Sequence, residues 1–219
     1  MSVWSAAALS AALLLGLPAG AATVSDQRGF ITEGVAGRLL FQRCNASELA
    51  PQPLPLNDKT PDRALGAGID AVRLVRLEPD VPLYVEFRGE TTASLVTAVQ
   101  FQRAIGHVAS CTAAPASPPA GVNVIAQGVQ PAWRLQWSPA SARLEVVGKK
   151  PVQFRPVSST SDPATKARSF VATSATGGAQ MRLEIVEQTC TDSGSETAYG
   201  ARAVAQLGTR RLEGCAARF

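Results

Sequence analysis

Histidine is almost missing from this chain: His107 is the only one among 219 residues, methionine occurs twice, and aromatic residues make up 5%. One imidazole and two thioethers cannot build a zinc or Cu(I) centre without cysteine. The four cysteines, Cys44, Cys111, Cys190 and Cys215, include no Cys-x-x-Cys spacing. No metal and no cofactor is therefore expected. A catalytic His107 would need a nucleophile and an orienting acid to converge on it, and neither is nominated by the sequence around Gly106-His107. It reads as a surface histidine at the end of a strand. A run long enough to span a bilayer is missing too. The longest candidate, Ala6 to Leu17, is too short for a ~30 Å hydrocarbon core.

That apolar run has the form of a signal-peptide h-region. Pro18 breaks it, and Ala19-Gly20-Ala21 supplies the small residues a signal peptidase requires, so cleavage is expected before Ala22. No basic residue precedes the run, and no cysteine follows it in a lipobox. The reading is export to the periplasm without lipidation. In an oxidising compartment an even number of cysteines indicates disulfides. Four cysteines allow three pairings. Because a linker separates the two pairs, Cys44–Cys111 and Cys190–Cys215 are preferred, each bridge closing one domain.

The linker is residues 113–121, rich in Pro, Ala and Ser and without periodicity. It divides a first domain, 26–112, from a second, 122–219, both of ordinary small-domain size. Residues 26–112 carry nine basic and ten acidic side chains, whereas 113–219 carry twelve and seven. The excess of positive charge thus belongs to the second domain.

Both domains read as β, with one short helix. In the first, Gly37 to Cys44 forms a strand, and Pro51, Pro53 and Pro55 make the next segment loop or edge. Thr60-Pro61-Asp62 opens a helix with Leu65, Ile69 and Val72 on one face. Leu83, Val85 and Phe87 then alternate with Tyr84, Glu86 and Arg88, a strand with one buried face. A further strand over 94–105 places Val96, Ala98 and Gln100 on one side and Val99 and Phe101 on the other. In the second domain Trp133, Leu135 and Trp137, then Leu144, Phe154, Phe170, Ala172, Met181, Leu183 and Ile185, and finally Ala201, Ala203 and Ala205, supply inward positions. The expected fold is all-β: two small antiparallel barrels or sandwiches in tandem, the first OB-like.

From Gly37 to Cys44, through Pro82-Leu-Tyr-Val-Glu86 with Gly89, to Cys111, the first domain resembles the OB-like domain of bacterial envelope proteins related to the NlpE-type copper-homeostasis and stress lipoproteins. The second domain resembles a secreted domain that follows it in that family. There an Asn-Glu-Pro-Phe-Trp type motif opens the domain, and a Cys-x-Asp-x-Met-Ser-Gly-x-x-Tyr type motif with Gly-Cys closes it. This chain keeps Trp133, Cys190, Asp192, Ser193, Gly194, Tyr199 and Gly214-Cys215 and lacks the methionine. The resemblance implies an exported bacterial β-protein and little more; the lack of a catalytic constellation among the residues is what points away from an enzyme. With no lipobox and no Cys-x-x-Cys, it does not extend to copper. Ser193-Gly194-Ser195 with Tyr199 also resembles the motif of periplasmic C-type lysozyme inhibitors, but Glu196-Thr197 breaks that pattern and the basic domain would repel a basic lysozyme.

Two surfaces are candidates for binding. One is the loop of Asp192, Ser193, Gly194, Ser195 and Tyr199, which also fits an Asx-type turn. The other is an aromatic and basic surface of Trp133, Lys149, Lys150, Arg210 and Arg211, although Trp133 and Trp137 at this spacing also suit a core. The expected partner is an envelope component, protein or anionic glycolipid, with lysozyme as the alternative. An unrecognised hydrolase built on His107 is the third reading. Nucleic acid is not expected, since the OB-like domain is nearly neutral and poor in aromatics.

Overall fold

The computed structural model describes residues 23–45, 48–50, 52–76, 81–192 and 196–219. The apolar run expected to be a signal peptide and its expected cleavage site lie outside the described residues. The rest of the chain is mostly β, in two domains, each crossed by a disulfide: Cys44–Cys111 in the first and Cys190–Cys215 in the second.

The first domain comprises β1 (Ser25–Glu33), β2 (Leu39–Asn45), the short β3 (Glu48–Leu49), β4 (Leu54–Asp58), α1 (Ala64–Arg76), β5 (Leu83–Thr91) and β6 (Val96–Ile105). β1 pairs antiparallel with β2 and β5, β2 with β4, and β5 with β6, while β4 pairs parallel with β6. These pairings return to their starting strand, a five-strand circuit with one parallel contact. α1 begins where sequence polarity provides its caps: Thr60 Oγ1 accepts from the Leu65 amide at 3.1 Å and Asp58 Oδ2 from the Gly66 amide at 2.9 Å. Its Leu65, Ile69 and Val72 are buried against Phe41, Phe87 and Phe101.

Two details of this sheet differ from simple alternation. Register shifts in the β5–β6 ladder leave extra residues on β6, so Phe101 lies opposite Phe87 and turns into the same core as Val96 and Ala98. In β5, Tyr84 and Glu86 are buried along with Leu83, Val85 and Phe87. The second face is covered because Tyr84 packs edge-on against Phe30, with ring centroids 5.6 Å apart, in a small core that lies beneath the Cys44–Cys111 bridge.

The second domain comprises β7 (Val124–Val129), β8 (Ala132–Trp137), β9 (Ala142–Val146), β10 (Val152–Asp162), β11 (Ala167–Ser174), β12 (Gln180–Val186), β13 (Cys190–Thr191), β14 (Thr197–Tyr199), β15 (Ala201–Leu207) and β16 (Arg210–Arg218). Eight of these close an antiparallel barrel in the order β10-β11-β12-β15-β16-β7-β8-β9. The alternating inward residues fill it: Trp133, Leu135, Trp137, Phe154, Met181, Leu183 and the alanines of β15 form one cluster. The small side chains at 201, 203 and 205 leave room for the two indoles opposite, the large-and-small alternation a narrow barrel needs.

β13 and β14 do not join the barrel. Between β12 and β15 the chain crosses to the first domain, where β14 adds as a strand to β6: Thr197, Ala198 and Tyr199 lie opposite Ile105, Ala104 and Arg103. The Gly106 amide donates to the Glu196 carbonyl at 2.7 Å and the Gly200 amide to the Gln102 carbonyl at 2.9 Å, extending the ladder at both ends. Cys190 in β13 is bonded back to Cys215 in β16, so the excursion is tied to the barrel at its root.

Candidate binding surface

Tyr199, expected with Asp192 on a binding loop, is committed to this junction. Tyr199 is 5% exposed and Asp192 7%. Tyr199 is covered because strand addition to β6 draws it beneath the barrel, against Cys215, Ala217 and Phe219. Ser193, Gly194 and Ser195 lie outside the described residues.

Across the junction runs a buried polar chain. The Tyr84 hydroxyl donates to Glu86 Oε1 at 2.8 Å, and Arg103 donates to both Glu86 oxygens, at 2.7 and 3.0 Å. The Arg103 guanidinium also lies 5.7 Å from the ring centre of the C-terminal Phe219. Burial, helped by the charge and hydrogen bond of Glu86, pushes the Tyr84 phenol well above its ordinary range. Burial likewise pushes Tyr199 up to about 12, the nearby Arg103 charge opposing it.

These two are the only tyrosines in the chain. The folded state therefore holds both phenolic protons more tightly than the unfolded state, whose tyrosines titrate near ~10. The associated stability is complete below pH 10 and is lost as pH rises from there through about 12. Phenolate absorbance should stay flat past pH 10 in native protein and rise near pH 10 in denaturant. A native rise at pH 10 would contradict the buried placement.

Trp133, grouped by sequence with a surface, is 4% exposed. It points into the barrel because it keeps inward phase with Leu135 and Trp137, and its indole N–H donates to the Glu213 carbonyl at 2.9 Å. The basic residues of that group do converge. In an up-and-down barrel alternate turns open at the same end, so Lys149 and Lys150 in the β9–β10 turn share an end with Arg210 and Arg211 beside the β15–β16 turn. The opposite end faces the first domain, where Lys166 in the β10–β11 turn meets Asp62 at 2.6 Å.

At the free end Lys149, Lys150 and Arg210 are exposed, and their side chains make no ion pair among the described residues. Arg211 is held by Glu213 at 2.8 Å. Val129 and Val147, 43% and 77% exposed, project from the same end beside a shallow groove that Trp133 and Lys149 line together with Glu145 and the buried Asp192. Apolar tips among unpaired cations form an amphipathic surface suited to an anionic partner with apolar parts. The sequence nominated the cations but not the valines, which stand out only once the barrel places their two turns side by side.

His107 is exposed in the turn after β6. No group of three or more His, Cys, Asp or Glu side chains placed to hold a metal occurs among the described residues. Nor is any helix among them long and apolar enough to cross a membrane. No protein-family model matches the chain, and neither does any curated protein or solved structure.

Proposed function

We propose that this is an exported, non-catalytic binding protein of the bacterial cell envelope, working in the periplasm, which meets an anionic glycolipid surface through the free end of its second-domain barrel. The observation that carries the reading is the joint exposure of Lys149, Lys150 and Arg210 with Val129 and Val147 on the end turned away from the first domain. The two disulfides support an oxidising compartment. The five-strand circuit, with its helix between the third and fourth strands and a parallel third-to-fifth pairing, supports reading the first domain as OB-like and the resemblance to NlpE-type envelope proteins. The lysozyme-inhibitor alternative needs Tyr199 on a projecting loop and draws no support from its burial in the junction.

The test is partition into vesicles. The protein should co-sediment with vesicles containing phosphatidylglycerol and not with pure phosphatidylcholine, and salt should release it. Each basic side chain near an anionic surface contributes ~1 kcal/mol, so Lys149→Gln, Lys150→Gln and Arg210→Gln together should weaken partition by ~100-fold. Equal partition into both vesicle types, or an unaffected triple variant, would remove the reading.

A further inference from the structure

A second pocket lies at the domain junction, between the first domain and the segment that links it to the second. Its volume is about 510 Å³, and it is walled by β1, β2, β5 and β6, by linker residues 117–121 with Val122, and by Phe219. The size falls within the ~300–1,000 Å³ typical of small-molecule sites. The linker is tied across it by one hydrogen bond, from Arg28 to Ser117 Oγ at 2.9 Å.

The lining has an unusual composition for a gap between packed parts. Gln27, Glu86 and Gln102 all border it and are 4%, 4% and 1% exposed. Gln102 donates to Asp26 at 3.0 Å and Glu86 is occupied by Tyr84 and Arg103. Gln27 is different. Its Nε2 donates to Ser25 Oγ at 2.7 Å, while its Oε1 is buried with no hydrogen-bond partner. Buried amide groups are rarely left without a partner, and Gln27 is one of the residues that line the cavity.

We propose that this pocket binds a saccharide of one or two pyranose units, with a sugar hydroxyl meeting the Gln27 amide. A hydroxyl both donates and accepts, so it satisfies the free position of Gln27 whichever way the amide is turned. Around it the wall offers acceptors on Asp26 and Gln102, a cation on Arg43 and the half-buried Phe219 ring, whose apolar face suits the C–H face of a pyranose. Mixed donors and acceptors with one flat apolar wall match a polyol better than a purely apolar or purely ionic ligand. The site is independent of the barrel's free end and stands or falls separately from it.

The experiment uses the full mature chain and a panel of glucose, N-acetylglucosamine and its β-1,4 disaccharide, with glycerol and sodium phosphate as controls. Saturable binding of at least one sugar is expected, followed by NMR as shifts of the Gln27 and Gln102 side-chain amides. Gln27→Leu should weaken that binding by ~10-fold or more, the discrimination lost with one buried hydrogen-bond partner, without lowering thermal stability, because it removes an unsatisfied amide. Phe219→Ala should weaken it too. No saturable sugar binding, shifts matched by glycerol, or binding unchanged in both variants would overturn the proposal and leave the pocket a water-filled gap.

Discussion

Glu86→Ala should lower the stability of the first domain by about 3–5 kcal/mol, the range for breaking a buried ion pair by removing one partner. Glu86 is 4% exposed and accepts two charged hydrogen bonds from Arg103 and one from the Tyr84 hydroxyl. Without it, a guanidinium whose side chain is 12% exposed is left unneutralised at the domain junction. In a chain of this size such a loss amounts to roughly 10 °C in Tm. A triple replacement, Glu86→Leu with Arg103→Met and Tyr84→Phe, should recover most of it, since apolar groups of similar volume need no partner. If the single and triple variants are equally unstable, the polar chain is not what holds this position and the volume of Glu86 is.

Gly200→Val should also be strongly damaging at the junction, costing about 3 kcal/mol, the upper end of the usual overpacking range, because backbone cannot yield as a side chain can. Gly200 is the point at which the chain leaves β14 on the first sheet and enters β15 of the barrel. A Cβ there would run into the Phe101 carbonyl oxygen, and the residue's own amide is already bonded to the Gln102 carbonyl at 2.9 Å. Its effect should appear as a loss of coupling, with the barrel and the first domain melting in separate calorimetric transitions. Gly66→Ala is the control: in α1 its new Cβ meets only Asp58 Oδ2 at 3.5 Å, so helix propensity should make it stabilising by up to ~1 kcal/mol. A single cooperative melt in Gly200→Val would show that strand addition is not what joins the domains.

Much of the architecture was legible in the residues. Strict alternation from Trp133 to Trp137 and along Met181, Leu183 and Ile185 marks strands with one buried face, as a barrel or a sandwich requires, and local capping chemistry announced α1. The features that alternation misses share a cause: each depends on a partner distant in sequence. Phe101 changes side because β6 carries extra residues relative to β5, which alternation within β6 cannot reveal. Tyr84 and Glu86 look like an outward face until the Cys44–Cys111 core and Arg103 close over them. Gly68 looks like a weak point in a helix, yet a Cβ there would collide with the Phe101 ring, so close packing requires it.

The candidate site divides the same way. Lys149, Lys150 and Arg210 were visible as charge, and the order of strands alone brings them together. Tyr199 and Asp192 were visible as a turn-rich loop beside a disulfide, but nothing near them in the chain says that Thr197 to Tyr199 will pair with a strand some hundred residues earlier. Gln27 carried no signal at all; only its burial beside the pocket marks it.

The excursion through β13 and β14 fastens the two domains together, committing one barrel end to the junction and leaving the other free. Amide hydrogen exchange of the protein tests this most directly. Protection of Ala198, Gly200 and Gly106 comparable to that of β5 and β6, falling together when Cys190 and Cys215 are both replaced by alanine, is the result expected. Rapid exchange at these amides while β15 and β16 remain protected would mean that the segment does not pair with β6. The assignment of one barrel end to the junction and the other to solvent would then have to be abandoned.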